Sequence, residues 1–391
     1  MLKYDIFAGK SSAIRYAFTL AENNPRKGIT MSFTQEQVQA LLSDVIDPNT
    51  QKKLGPVVRK SEIDLKGASL DLTLALGYPV FNAAGALRQS IETVLSGAGL
   101  TLQRLDFKLV VDTHAVQRGL KPLTNVRNII AVASGKGGVG KSTTSVNLAL
   151  ALRSQGARVG LLDADIYGPS VPMMLGLSGK PESRDNKTME PLVGHGIEAN
   201  SIGFLIDPDS PAIWRGPMVS QALEQLLRQT NWGDLDYLII DMPPGTGDIA
   251  LTLSQKVPLT AAIIVTTPQD MALADARKGL QMFRKVDVPV LGVVENMATH
   301  ICSNCGHAEP IFGEHGGREL AAEFNLPSLG SLPLAMSIRA QTDSGSPTVV
   351  SDPESLASDQ YQQIAHRVAI QVAALPKDMA GKMPPVVVQP S

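Results

Sequence analysis

The sequence has few cysteines, few aromatic side chains and almost no imbalance of charge. Cys302 and Cys305 are the only cysteines in 391 residues. A disulfide framework is thereby excluded, and the C-x-x-C pair points to metal or dithiol chemistry. Aromatic content of 4% leaves little material for base-stacking platforms. Lys and Arg number 35 against 37 Asp and Glu, so no global field draws the chain to nucleic acid or to a membrane. No apolar run approaches the ~20 residues that span a bilayer, and no repeat or low-complexity block is present. Residues 1–30 are polar and mixed, without an apolar core followed by a small-residue cleavage site. They are expected to be a disordered extension, a mis-assigned start ahead of Met31, or a transit peptide. What remains is 43% hydrophobic and long enough for two ordinary domains. A cytoplasmic location is the expectation.

The most informative stretch is Gly135-Lys136-Gly137-Gly138-Val139-Gly140-Lys141-Ser142-Thr143. It follows an apolar run, residues 128–133, and leads into a helix-forming segment, residues 144–152. Strand, glycine-rich turn and helix in that order satisfy G-x-x-x-x-G-K-S/T, the P-loop, in its proper context. The glycines let backbone N–H groups curl round a phosphate, and the helix N-terminus adds partial positive charge. Lys141 is placed to reach the β- and γ-phosphates of ATP, and Ser142 to hold Mg²⁺.

A compact unit precedes this loop. Thr34 and Gln37 form a capping-box pattern, followed by Val38, Leu41, Leu42, Val45 and Ile46 at helical spacing. A strand is expected over 57–65, another with Leu70, Leu72, Leu74 and Leu76 on one face, a helix over 83–95 and a strand over 107–111. The expected division is an extension over 1–30, a small α+β domain over 31–112, a linker over 113–126, an ATPase domain over 127–375 and a disordered proline-rich tail over 376–391. In the large domain, strands at 129–133, 159–162, 235–240, 261–266 and 290–294 alternate with helices. That alternation predicts an α/β P-loop NTPase fold, its mostly parallel sheet covered by helices on both faces.

Acids sit where such sheets bind ligands, at the carboxyl ends of strands. Asp163 and Asp165 follow the second strand, and Asp241 ends the apolar run 237–240, as a Mg²⁺-holding carboxylate requires. Asp241 opens Met242-Pro243-Pro244-Gly245-Thr246-Gly247-Asp248, a loop with little chain entropy to lose on ordering. In Cys302-Ser303-Asn304-Cys305, two thiolates do not fill a tetrahedral site. A symmetric dimer could supply the other pair for a 4Fe–4S cluster. His307 and His315 could instead complete a zinc site within one chain, or the pair could be a redox dithiol. His114, His195, His300 and His366 show no ligand spacing.

With Lys136 directly after its first glycine, the loop resembles the deviant Walker A of the MinD, ParA and nitrogenase iron-protein class. That resemblance implies an ATP-dependent homodimer in which Lys136 reaches the partner's nucleotide. It also implies that Asp165 orients the attacking water while Asp163 supports Mg²⁺ and a switch region. The run Asp241-Met242-Pro243-Pro244-Gly245-Thr246-Gly247-Asp248 resembles the switch of the Mrp/ApbC family, which implies γ-phosphate sensing by Gly245 and Thr246. Trp214-Arg215-Gly216-Pro217-Met218, Thr267-Pro268-Gln269 and Asn296-Met297 are similar to further segments of that family, and Asn296 is the implied adenine reader. The family resemblance spans roughly residues 34–370. It implies a slow ATPase whose cysteine pair carries a labile 4Fe–4S cluster from an assembly scaffold to apo-proteins. The N-terminal unit resembles the MIP-eighteen kind of domain, with Tyr78-Pro79 where such domains often carry Cys-Pro. A MinD- or ParA-like positioning ATPase and a zinc-bound ATP-dependent scaffold are the rival readings. The first needs a membrane helix or a DNA-binding surface, neither of which the sequence shows.

Overall fold

The computed structural model describes residues 33–81, 84–205, 216–302 and 304–378. The expectations for residues 1–30, for Trp214 and Arg215, and for the tail beyond 378 lie outside the described residues. Contacts divide the described residues into two units, one holding 33–76 and 84–110, the other holding Gly77–Phe81 and the described residues from Val111 onward.

The first unit contains helices α1 (Gln35–Ser43) and α2 (Gly55–Val58), strands β1 (Glu62–Lys66) and β2 (Ser69–Leu76), helix α3 (Ala84–Gly97) and strand β3 (Thr101–Leu109). The capping box forms as its sequence requires. Thr34 Oγ1 accepts from Gln37 N at 3.3 Å, and Thr34 N donates to Gln37 Oε1 at 2.9 Å. β1 pairs antiparallel with β2, and β3 pairs parallel to β2 on its other side. Leu70, Leu72, Leu74 and Leu76 are buried together with Leu87, Ile91 and Leu95 of α3, which recur every four residues on one helix face. The strand expected over 57–65 starts later, at Glu62, because Pro56 near the start of α2 sets a helical φ there. β3 begins earlier than expected, at Thr101, where its pairing with Ser69 of β2 begins.

The second unit is a P-loop α/β fold. Its elements are β4 (Ile129–Ala133), α4 (Lys141–Ser154), β5 (Val159–Asp163), α5 (Val171–Met174), β6 (Leu192–Gly194), β7 (Ile197–Ser201) and α6 (Gly216–Gln229). These lead to β8 (Tyr237–Asp241), α7 (Asp248–Lys256), β9 (Ala261–Thr266), α8 (Asp270–Lys285), β10 (Val290–Ile301) and β11 (Ala308–Glu309). The chain then forms α9 (Gly316–Glu323), β12 (Ser328–Leu334), α10 (Met336–Asp343), α11 (Thr348–Ser351) and α12 (Leu356–Ala373). The sheet order is β11-β10-β9-β4-β8-β5-β7-β6, with β12 also pairing with β10. All pairings are parallel except β10 with β11 and β6 with β7.

β4, β5, β8 and β9 are buried at every position, so they read as continuous apolar runs rather than alternating ones. Helix α4 is buried from Thr144 to Leu152, packed between the sheet and α12. Residues 113–115, in the stretch expected as a linker, hydrogen-bond to residues 376–378. Ala115 N donates to Pro376 O at 3.0 Å and Asp378 N to Thr113 O at 3.0 Å.

Candidate functional site

The P-loop lies between β4 and α4. Gly138 and Gly140 have φ of 81° and 79°, left-handed values that favour glycine, and Gly140 caps α4. Gly135 is required for another reason. A Cβ there would lie 2.2 Å from the Asp275 carbonyl carbon of α8, a backbone atom with nowhere to go. Lys136 is half-buried, and its carbonyl accepts from Ser134 Oγ at 2.9 Å.

Parallel register brings Asp163 of β5 opposite Asp241 of β8. Lys141 Nζ lies 2.8 Å from Asp241 Oδ1 in a buried ion pair and donates to Ser142 Oγ at 3.1 Å. Ser145 Oγ, one turn further along α4, donates to the same Asp241 Oδ1 at 2.6 Å. Asp241 Oδ2 is buried with no hydrogen-bond partner. A buried, unpartnered carboxylate oxygen on Asp241, with Ser142 linked to the same carboxylate through Lys141 Nζ, fits a largely hydrated divalent cation.

Asp163 is a structural knot. Its Oδ1 accepts from Asp165 N at 3.1 Å. Its Oδ2 accepts from Ser170 N, Val171 N and Ser201 Oγ at 3.1, 3.2 and 3.0 Å. Burial pushes its carboxyl up to about 7, and the charge of Asp241 adds to the rise. Asp165 is also raised by burial. Lys141 opposes that rise and Asp241 reinforces it.

The loop after β8 closes over the P-loop. Gly245, at φ 87°, donates its N–H to Ser134 O at 3.0 Å. A Cβ on Gly279 of α8 would sit 3.9 Å from Thr246 Cγ2, which places Thr246 against that helix. Thr267 Oγ1 donates to Gln269 Oε1 at 3.1 Å. Asn296 is buried, and its Nδ2 donates to Val139 O at 2.8 Å. The implied adenine reader therefore already holds the P-loop.

The cysteines occupy the turn of the β10–β11 hairpin. His300 pairs with Glu309 and Ile301 with Ala308. Cys302 N donates to His307 O, and Gly306 N, at φ 71°, donates to Cys302 O, both at 2.9 Å. The Cys302 thiol is held below its usual range by the backbone N–H of Cys305, then by the N–H of Asn304 and the Cys305 thiol. Cys305 is exposed and Cys302 half-buried. Among the described residues, no group of three or more His, Cys, Asp and Glu is arranged to hold a metal, so His307 and His315 do not gather with the thiols. His315 instead caps α9 at φ 62°. His114 Nδ1 bonds Asn128 Oδ1 at 2.8 Å, and His195 Nε2 bonds Gly345 O at 2.9 Å.

Three side chains around the site were not singled out from sequence. Ser145 could have been found one turn after Lys141, facing the same way. Ser201 and Glu295 carry no local signal. Glu295 Oε1 accepts from Gly317 N at 3.1 Å, at the start of α9.

A glycine loop on a helix N-terminus, a buried lysine and an acid ending the adjacent strand define a P-loop nucleoside triphosphatase. The sequence family described as NUBPL iron-transfer P-loop NTPase matches residues 125–369, and the chain belongs to it. A second family, described as iron-sulfur cluster assembly protein, matches residues 35–100. The iron-sulfur cluster carrier protein of Pseudomonas fragi is 60% identical over 269 residues, 68% of this chain and 94% of that one. The protein of the same name from Haemophilus influenzae is 51% identical over 346 residues, 86% of this chain and 92% of that one. A solved nucleotide-binding protein from Archaeoglobus fulgidus, in complex with ADP, is 38% identical with a TM-score of 0.53. The match covers 61% of this chain and 91% of that one.

Proposed function

We propose that this protein is an iron–sulfur cluster carrier that binds and hydrolyses ATP. In this reading two copies share one 4Fe–4S cluster through Cys302 and Cys305 and deliver it from an assembly scaffold to apo-proteins. The observation that carries the reading is the cysteine hairpin. It offers one exposed and one half-buried thiol, the latter held below its usual range by neighbouring N–H groups, and gathers no third ligand from its own described residues. Four thiolates complete the site when a two-fold axis supplies the other pair. Among the described residues no helix is long and apolar enough to cross a membrane.

On the nucleotide side, the backbone of Gly135 to Gly140 and the start of α4 cradle the phosphates, with Thr143 in the first helical turn. Lys141 exchanges Asp241 for phosphate oxygens. Ser142 and Asp241 are the residues that would hold Mg²⁺, with Asp163 behind them, and its charge when bound offsets that of the phosphates. Asp165 orients the attacking water, Lys136 reaches the partner's nucleotide, and Gly245 and Thr246 sense the γ-phosphate. Asn296 Oδ1 receives the adenine amino group while Nδ2 keeps the P-loop.

The test is iron, acid-labile sulfide and zinc per chain after anaerobic reconstitution, on the full chain and on Cys302→Ser. The expected result is about four irons and four sulfides per dimer, lost in the variant. Zinc near one per chain on a monomer would overturn the carrier reading.

A further inference from the structure

Asn296 stands where the nucleotide loop meets the strand that bears the cysteines. β10 is buried from Leu291 to Asn296 and half-buried from Met297 to Ile301, after which comes Cys302. Cys302 is at most roughly 20 Å of extended chain from Asn296, at about 3.3 Å per residue.

Asn296 Nδ2 holds Val139 O at 2.8 Å. The peptide between Val139 and Gly140 is planar and trans, so the Gly140 N–H points away from that carbonyl. Holding the carbonyl therefore aims an N–H of the loop that cradles phosphate. The fit has no slack, because a Cβ on Gly140 would lie 2.1 Å from Asn296 Nδ2.

On the far side of Asn296 the strand is jointed. Met297 has φ 57°, a left-handed value that a methionine adopts only under constraint. The β10–β12 register shifts between Glu295 and Thr299. Pairing then resumes, Thr299 with Pro333 and His300 with Leu334, and the strand runs into the cysteine hairpin.

We infer that Asn296 is a positioning residue that couples phosphate occupancy of the P-loop to the accessibility of Cys302 and Cys305. A phosphate on the Gly140 N–H reorients the Val139–Gly140 peptide, Asn296 follows the carbonyl, and β10 carries the shift through the Met297 joint to the hairpin. The effector is a nucleoside triphosphate. The inference rests on the nucleotide half of the proposed function and not on the cluster.

Because the chain has two cysteines and both lie in the hairpin, thiol alkylation reports on that hairpin alone. The experiment measures the rate of N-ethylmaleimide modification of the reduced, iron-free full chain at one pH. It compares no nucleotide, Mg²⁺-ADP and Mg²⁺ with a non-hydrolysable ATP analogue, each at saturation for each variant. The wild-type rate is expected to change several-fold with the analogue. In Asn296→Leu, which keeps the size and removes the donor, that change is expected to vanish. Asn296→Asp, which puts an acceptor against Val139 O, provides a second variant should the leucine chain fail to fold, and the same loss is expected. Bound analogue with an unchanged wild-type rate, or full dependence retained in a folded variant, overturns the relay. A wild-type chain that binds no nucleotide overturns the relay and the nucleotide reading together. Absence of iron after reconstitution leaves the relay standing and removes only the carrier reading.

Discussion

Gly135 and Asp163 show how single residues set the site at opposite ends of the size and charge scales. At Gly135 the constraint is steric. An added methyl meets the backbone of Asp275 and Ala276 within 2.5 Å, so helix α8 or the P-loop must move. Gly135→Ala is expected to cost about 1–3 kcal/mol and to weaken ATP binding, as read by urea denaturation and nucleotide titration. An alanine chain of wild-type stability and affinity would remove the steric account. At Asp163 the constraint is electrostatic. Its carboxyl rises from 3.8 to about 7 in the folded chain, mainly through burial. Between those values the folded state holds a proton that the unfolded chain has released. The contribution of Asp163 to stability is therefore full below that window, falls as pH rises through it, and is flat above. Asp163→Asn lacks this slope. In nucleotide-free protein, denaturation midpoints at about pH 5 and pH 7.5 should show wild type losing ground to the variant as pH rises. A gap that stays constant, or moves the other way, would refute the shift.

Elements differ in how far their own sequence specifies them. Helix α1 is specified locally, since Thr34 and Gln37 satisfy each other's backbone donors within one turn. Thr34→Ala should cost about 1 kcal/mol, seen as faster amide exchange at Val38 and its first-turn neighbours; unchanged exchange would show that tertiary packing carries the helix start. β4 and β9 were legible to the residue, because an apolar run buried on both faces has one solution in a parallel sheet. β10 was legible only to Val294. Its remainder mixes buried Glu295 and Asn296 with the half-buried residues 297–301, held by pairing with β11 and β12, and pairing partners distant in sequence leave no periodicity to read. β12 was hidden by Gly330 and Pro333. The β6–β7 hairpin was hidden because His195 and Gly196, both at positive φ, make its turn where Asn-Gly would have announced one. The same division runs through the site. The P-loop and the acid ending β8 are contiguous motifs, whereas Asn296 on Val139 O and Ser201 on Asp163 are contacts that only the fold creates.

At the scale of the whole molecule, the proposed function depends on two copies, and Lys136 is the residue that decides it. Within one chain Lys136 is half-buried and forms no ion pair among the described residues, whereas Lys141 is buried against Asp241. If Lys136 serves the partner's nucleotide, the two lysines of a working site come from different chains. Lys136→Ala and Lys141→Ala should then each be inactive alone as ATPases and active when mixed. In a mixed dimer, the Lys141→Ala chain lends its intact Lys136 to the site that still has Lys141. The other site lacks both lysines. With random pairing half of the dimers are mixed and one site in each is whole, so the mixture should recover about a quarter of wild-type activity per chain. Should Lys136 act on its own chain's nucleotide, every site in the mixture lacks one lysine and nothing is recovered. Steady-state phosphate release from the equimolar mixture, pre-incubated with ATP to allow exchange, separates the two. Recovery would place both nucleotides at a shared interface. The two-fold axis through that interface is also the symmetry a four-thiolate cluster site needs. The same mixing with Cys302→Ser chains then asks whether one pair of thiols can hold the cluster alone.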